Sequence, residues 1–345
     1  MPGGEFGTRV DAPAGNVNVK QEHESVTPTR RLRADAAGIA EAAAALAKGG
    51  LAAFPTETVY GLGADATSAM AVARLYAAKG RPSFNPLIAH VADLPAARRA
   101  GHFTPLAETL AAKFWPGPLT LVVPSSGAAC DLARAGLGTV AVRVPSHPIA
   151  QELLAAFGKP VAAPSANRSG HVSPTTADHV LADLNGKIDC VLDGGSTPLG
   201  LESTIIDCSG EAPRLLRAGG LPRDEIEKTL GRKIENIASH ATGSPTAPGQ
   251  LASHYATRAA IRLNARETRP GEALLAFGAN APQGAAKTLN LSPSGDLVEA
   301  AAHLFAYLRA LDAEAPNAIA VSPIPNEGLG EAINDRLARA AAPRE

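Results

Sequence analysis

The feature that most constrains this chain is an alternation of two periodicities. Helical patterns over Ala71 to Ala78, Pro105 to Lys113, Pro148 to Phe157 and Thr176 to Leu184 take turns with the short apolar runs "PLIAHV", "LTLVVP", "VAVRVP", "PVAAPS", "CVLDGG" and "STIIDC". Short apolar runs punctuated by Gly or Pro read as strands, and strands that alternate with helices build an α/β domain on a sheet. Upstream, "DAAGIAEAAAALAKGG" reads as a helix that Asp35 opens and a double Gly closes, and "LAAFPTETVYGL" reads as a strand after it. The expected fold class is therefore α/β with a twisted mixed sheet.

At 345 residues the chain exceeds one ordinary domain of about 100 to 200 residues, so a second unit is expected. The Pro/Gly/Ser/Thr-rich passage "ASHATGSPTAPGQLASHYAT" reads as a linker over 238–257. It divides a first unit over 28–237 from a second over 258–345. In the second, "AIRLNA", "EALLAFGA" and "AIAVSP" read as strands around a helix at about Ser294 to Ala313, and "EAINDRLARAAA" reads as the last helix. Residues 1–27 are polar, rich in Gly and Pro and free of apolar periodicity, which reads as a disordered leader.

Composition excludes several classes. A formal net charge of -1 with 19% charged residues does not make a polycation built for nonspecific nucleic-acid binding. Cys130, Cys190 and Cys208 stand far apart with no CxxC pair, against a disulfide framework or a zinc knuckle and in favour of a reduced, cytoplasmic setting. No run approaches the roughly 18 apolar residues of a membrane span.

The stretch "VYGLGADA" carries Gly61, Gly63 and Ala66 in the spacing of a dinucleotide fingerprint. That fingerprint needs an acid about 20 residues on for the ribose, and the chain offers Lys79 and Arg81 there instead. The motifs of P-loop enzymes, zinc hydrolases and serine hydrolases are missing. What remains is a scatter of cations and small polar residues in "PTET", "KGRPSFNP", "TVAVRVP", "PSANRSG", "VSPTT", "ESTI" and "LLRAG". Lys79, Arg81, Arg143 and Arg217 supply donors for phosphate or carboxylate oxygens, and Thr56, Thr58, Ser165, Asn167 and Ser173 add neutral ones. Each cation alone reads equally as a solvated charge, His90 as a satisfied core histidine, and "PSANRSG" as a simple turn. Arg143, between valines, either faces water on an edge strand or points inward and requires an anion.

In their order and separations, "FPTETVYGLG", "KGRPSFNPLIAHV", "FWPGPLTLVV", "VAVRVPSHPIA", "APSANRSGHVSPT", "DGGSTPLGLESTIID", "LLRAGGL" and "APGQLASHY" resemble the L-threonylcarbamoyladenylate synthases. The resemblance is to the longer Sua5 form, with a YrdC-like catalytic domain and an extra, smaller Rossmann-like C-terminal domain. It implies a nucleotidyltransferase that condenses L-threonine, bicarbonate and ATP to threonylcarbamoyl-AMP and pyrophosphate, for modification of adenosine 37 in tRNAs reading ANN codons. The family's KxR and SxN signature falls on Lys79, Arg81, Ser165 and Asn167, implied to be catalytic. By the same resemblance ATP meets Arg81, Asn85, Thr139, Ser165, Ser173, Arg217 and Tyr255, while threonine meets Thr58, His90, Arg143, the backbone at Ala163, and Ser203. Thr257 departs from the Pro common after "HYA", which bears on the linker's stiffness. Magnesium is expected on the nucleotide, with no protein metal site, and a tRNA threonylcarbamoyl transferase is expected to receive the product. Two alternatives stand beside this: a noncatalytic RNA-binding module, and a carbamoyl-transfer enzyme, whose CxxC repeats this chain lacks.

Overall fold

The computed structural model describes residues 28–236 and 254–343. The leader expected over 1–27 and most of the expected linker lie outside these residues. The first unit opens with β1 (Arg30–Arg33), α1 (Ala36–Ala47), β2 (Ala52–Phe54), β3 (Gly61–Asp65), α2 (Ala69–Lys79), β4 (Ile88–His90), α3 (Leu94–Ala100) and α4 (Pro105–Phe114). It continues through β5 (Leu119–Pro124), β6 (Thr139–Arg143), α5 (Pro148–Phe157), β7 (Val161–Ala162), α6 (Ala177–Leu184) and β8 (Cys190–Asp193). It ends with β9 (Thr204–Asp207), β10 (Arg214–Arg217), α7 (Arg223–Leu230) and β11 (Glu235–Asn236). These eleven strands form one mixed sheet in the order β1-β8-β2-β3-β7-β4-β6-β5-β9-β10-β11.

The helices start where side chains can satisfy free backbone N–H groups. Asp35, Ser68, Asp93, Thr104 and Thr176 each accept a first-turn amide, and Gly80 ends α2 in the left-handed region at φ 59. The single strand expected in "LAAFPTETVYGL" is instead the antiparallel pair β2 and β3. Thr56 breaks it, because its hydroxyl donates to the Val59 carbonyl at 2.7 Å and accepts the Val59 amide at 3.2 Å, a local turn that competes with the ladder. Gly61 and Gly63 therefore lie within β3 and not in a strand-to-helix phosphate turn. A side chain at Gly63 would stand 2.9 Å from Val161 Cγ1 and 3.1 Å from the Ala52 carbonyl, so strand packing accounts for the glycine.

Period-two alternation divides the central strands between two environments. In β6, Val140 and Val142 enter the main core, as do Leu119, Leu121 and Val123 of β5. The opposite face carries only a small apolar group of Ile88, Val122, Ala141, Ile205 and Leu216. His90 and Arg143 are register partners on the adjacent parallel strands β4 and β6, in phase with Ile88 and Ala141 on that second face.

The second unit has β12 (Ala260–Arg262), β13 (Glu272–Ala276), β14 (Thr288–Asn290), α8 (Leu297–Ala313), β15 (Ala318–Val321) and α9 (Leu329–Ala341). Its strands run parallel in the order β12-β15-β13-β14. One apolar cluster joins Leu304, Phe305, Leu308, Ile333 and Leu337 of α8 and α9 to Val59, Val172, Leu201 and Tyr255. The two units thus share a core beside the second face of the large sheet. At Gly200 a Cβ would stand 2.4 Å from the Ala301 carbonyl of α8, so the backbones themselves meet there. No helix among the described residues is long and apolar enough to cross a membrane.

Candidate active site

The second face of the sheet opens into a cleft lined by Thr58, Arg81, His90, Arg143, Ser203 and Arg217, among others. Arg143 is 3% exposed, which removes it from water and obliges every donor to find a partner. Its Nη2 donates to Glu57 Oε1 at 2.6 Å, Nη1 to Thr58 Oγ1 at 2.9 Å, and Nε to the Gly117 carbonyl at 3.3 Å. The second Glu57 oxygen accepts the Ser146 amide at 3.1 Å. Beside this group, the His90 ring meets the edge of Phe54, with Nδ1 3.2 Å from the Ile88 carbonyl. Burial, aided by the Arg143 charge, lowers the His90 pKa to about 3, so the imidazole is neutral.

The opposite wall comes from the segment before β9 and the end of β10. Arg217 donates to the Ser203 carbonyl through Nε at 3.1 Å and Nη2 at 2.9 Å, and Ser203 Oγ stands 2.7 Å from Thr120 Oγ1. Burial lowers the Arg217 pKa from its usual value. Glu202 accepts from Ser173 Oγ at 2.6 Å and from Arg336 Nε at 2.9 Å. Burial alone would raise the Glu202 pKa, but Arg336, Arg217 and the Ser173 hydroxyl outweigh it and hold it at about 2. The wall therefore carries a permanent carboxylate whose charge is met from α9.

The KxR and SxN residues divide into two groups. Arg81 lines the cleft, with Nη2 3.2 Å from the Pro86 carbonyl and Nε buried without a partner among the described residues. Burial, aided by Arg217, lowers its pKa to about 10. Ser165 also lines the cleft. Lys79 does not: as the last residue of α2 it is 3% exposed, and Nζ donates to the Ser165 carbonyl at 2.6 Å and to the Asn167 carbonyl. The ammonium expected to meet phosphate instead pins the SxN turn from behind. Burial pushes its pKa well below the usual lysine value. The Asn167 amide donates to the Arg168 and His171 carbonyls at 2.8 Å, while its Oδ1 and that of Asn85 are buried and unpartnered among the described residues.

His254 and Tyr255 lie across the cleft mouth. The Tyr255 ring stacks on Phe305 of α8 at 5.3 Å, touches His254 at 4.1 Å edge-on, and has the Arg336 guanidinium 5.4 Å from its centroid. The Ala256 amide anchors the segment to the Gly170 carbonyl at 2.7 Å. Thr257, in place of the expected Pro, is 2% exposed and donates to the Ala259 carbonyl at 2.7 Å, so a hydroxyl fixes the turn that a ring would fix. With these side chains in place the central cavity is about 50 Å³.

A family model described as "Telomere recombination" matches residues 44–219, and one described as "Threonylcarbamoyl-AMP synthase, C-terminal domain" matches residues 221–342. The threonylcarbamoyl-AMP synthase of Pyrococcus abyssi is 42% identical over 322 residues, covering 88% of this chain and 94% of that protein. The chain belongs to the threonylcarbamoyl-AMP synthase family. The Bacillus subtilis synthase is 39% identical over 346 residues, covering 94% of this chain and 99% of that protein. The crystal structure of P. abyssi Sua5 complexed with L-threonine superposes with a TM-score of 0.84 at 39% identity, covering 91% of this chain and 98% of that one.

Of the residues that the synthase resemblance singles out, the fold brings Thr58, Arg81, His90, Arg143, Ala163, Ser165, Ser203, Arg217 and Tyr255 to one cleft. Lys79, Asn85, Thr139, Asn167 and Ser173 do not line it. Thr139 opens β6 opposite Pro124, at the far end of the strand from Arg143. Ser173 stands behind the wall on Glu202, and the Ala163 amide is taken up by the Ile88 carbonyl at 3.0 Å. The stretches "PTET", "ESTI", "APGQLASHY" and "EAINDRLARAAA" contain Glu57, Glu202, His254 and Arg336, but nothing in them singles these residues out. The inward Arg143 was the signal for a buried acid, since an arginine among valines needs an anion. The corresponding signal for Arg336 is absent, because one Arg in an amphipathic helix reads as a solvated face.

Proposed function

We propose that this chain condenses L-threonine, bicarbonate and ATP to threonylcarbamoyl-AMP and pyrophosphate. The observation that carries this reading is the convergence of Arg81, Arg143 and Arg217 with Thr58, His90 and Ser203 on one sheet face, in a member of the synthase family. Threonine's carboxylate is assigned to the Arg143 side and the nucleotide to Arg81, Ser165 and Arg217. The neutral threonine amine bonds to the bicarbonate carbon, a carbon–oxygen bond of bicarbonate breaks, and a carbamate and one water result. A carbamate oxygen then bonds to the α-phosphorus, the bond from that phosphorus to the bridging oxygen breaks, and pyrophosphate leaves with the electron pair. Charge grows on phosphate oxygens in this step, so preorganised guanidinium groups are the catalytic resource and no protein nucleophile is required. Lys79 and Asn167 act through the shape of the SxN turn.

In this reading the nucleotide displaces the few water molecules that a cavity of about 50 Å³ holds, and Tyr255 and His254 line its site. Magnesium would travel on the nucleotide phosphates and water. The cleft offers it no cage, since both nearby carboxylates already face guanidinium groups and no acidic or His/Cys cluster fit for a metal occurs among the described residues. The product would pass in the cytoplasm to a tRNA threonylcarbamoyl transferase for modification of adenosine 37. The division into a catalytic domain over 28–237, a linker over 238–257 and a C-terminal domain over 258–345, after a leader over 1–27, belongs to the same proposal.

The test is pyrophosphate release by the full chain with ATP and magnesium, adding threonine, serine or no amino acid, each with and without bicarbonate. Release that needs both threonine and bicarbonate is the expected result. Release indifferent to both overturns the reading.

A further inference from the structure

Arg336 belongs to the C-terminal unit, yet it is 0% exposed, and its hydrogen bonds and ring contact beyond its own helix go to Glu202, Ala218 and Tyr255. Nε stands 2.9 Å from Glu202 Oε2, and Nη2 stands 2.9 Å from the carbonyl of Ala218, the neighbour of Arg217. The guanidinium lies over the Tyr255 ring at 5.4 Å. Within α9, Nη1 meets Asp335 Oδ2 at 2.6 Å, which fixes the fork. One side chain thus ties together the segment before β9, the segment after β10 and the residue across the cleft mouth.

Stability alone accounts poorly for a charge in this place. A buried ion pair adds little over well-packed apolar side chains, and α9 already docks through Ile333 and Leu337. What an apolar residue could not do is neutralise Glu202. Held by the Ser173 hydroxyl alone, that carboxylate would stay charged with only the Arg217 charge to answer it, and would compete with an anionic substrate for that guanidinium. Nor could an apolar residue offer the Tyr255 ring a desolvated cation, which orients the ring through its π face.

We propose that Arg336 is a positioning residue for the nucleotide: by pairing with Glu202 and seating Tyr255, it makes the C-terminal unit a structural part of the ATP site. This rests on the ATP reading given above. Arg336 touches no reacting atom and acts through Glu202, Ala218 and Tyr255.

The experiment compares four variants of the full chain by pyrophosphate release, ATP calorimetry and thermal melting. Arg336→Met is expected to raise KM for ATP about tenfold while kcat stays within about threefold. Arg336→Lys, which keeps the charge and loses the fork, is expected to recover part of that loss. If Arg336→Met does not fold, the double variant Arg336→Met with Glu202→Gln decides, because it leaves no orphan charge. It should melt near the parent and still bind ATP several-fold more weakly. Arg309→Met is the structural control. Arg309 docks α8 on Asp183 at 2.9 Å without lining the cleft, so its loss should lower the melting temperature and leave both kinetic constants within twofold. ATP binding and KM within twofold of the parent in a folded Arg336→Met or in the double variant overturn the inference. An unmutated chain that neither binds ATP nor releases pyrophosphate overturns the parent reading, and this one with it.

Discussion

Glu57 Oε1 and Arg143 Nη2 stand 2.6 Å apart, in a pair whose side chains are 8% and 4% exposed. The same guanidinium holds Thr58 at 2.9 Å, so the turn between β2 and β3 and the end of β6 are fixed as one piece. The pair supplies the anion that an inward arginine requires, and it leaves the guanidinium oriented before substrate arrives.

Breaking this pair from one side strands a buried charge. Glu57→Gln is expected to lower stability by about 3 kcal/mol, toward the low end for a broken buried pair, because the amide keeps one hydrogen bond. Arg143→Met should cost more and abolish threonine-dependent turnover. Urea unfolding and pyrophosphate release check both, and an Arg143→Met chain with parental KM for threonine would remove Arg143 from the threonine site.

Lys79 satisfies two carbonyls of the SxN turn, at Ser165 and Asn167. Lys79→Met leaves the buried Asn167 carbonyl and the partly buried Ser165 carbonyl without this donor, an expected cost of about 1–3 kcal/mol for the first and less for the second. Because the lysine stands behind the wall, the loss of activity should come with that of stability. A Lys79→Met chain that melts like the parent yet fails to bind ATP would instead put the ammonium on the phosphates.

Gly219 is required by close approach. A Cβ there would meet the Glu202 carbonyl at 2.3 Å and the Thr204 amide nitrogen at 2.5 Å, both backbone atoms that cannot swing aside. Gly219→Ala is expected to displace the Glu202–Ser203 wall, to destabilise by about 3 kcal/mol or more, and to raise KM for ATP and for threonine. Thermal melting and steady-state kinetics report this, with Gly210→Ala, where a Cβ meets open space, as the neutral comparison.

His90 and His254 are both buried, and burial lowers each from the usual 6.5 to about 3. Below pH 6.5 the unfolded chain takes up protons that the fold refuses, so stability falls as pH drops from 6.5 toward 3. The slope is about 1.4 kcal/mol per pH unit for each histidine. Glu202, held at about 2 against a usual 4.5, adds a further loss below pH 4.5. Urea unfolding at pH 7, 6 and 5 should show the histidine slope, and His90→Gln with His254→Gln should reduce it, leaving the part due to His179, which burial lowers to about 4. A parental chain equally stable at pH 7 and pH 5 would contradict neutral burial of both rings.

Much of this molecule was legible in local sequence. Periodicity and caps placed α5 over Pro148–Phe157 to the residue and α1, α2, α4 and α6 within a residue or two, because a helix is specified by neighbours three and four positions apart. Neither β1 nor β10 reads as a strand, because "RRLR" carries no apolar run and the two apolar residues of β10 are bracketed by arginines. The cationic stretches were legible as a set. Their destinations were not: His90 read as a core histidine and Arg143 as facing either water or the interior, and the fold puts both, with Arg217 of β10, around one cleft.

By itself, the sequence determined the α/β alternation and the family, and it displayed the cations as a set. Only the tertiary structure decided which cation meets which oxygen. Arg143 finds Glu57 across 86 positions and Arg336 finds Glu202 across 134, while Lys79 turns to carbonyls 86 and 88 positions away. Desolvation dictates that a buried charge must have a partner, but the identity of that partner is set by strand order and register, which no local pattern records.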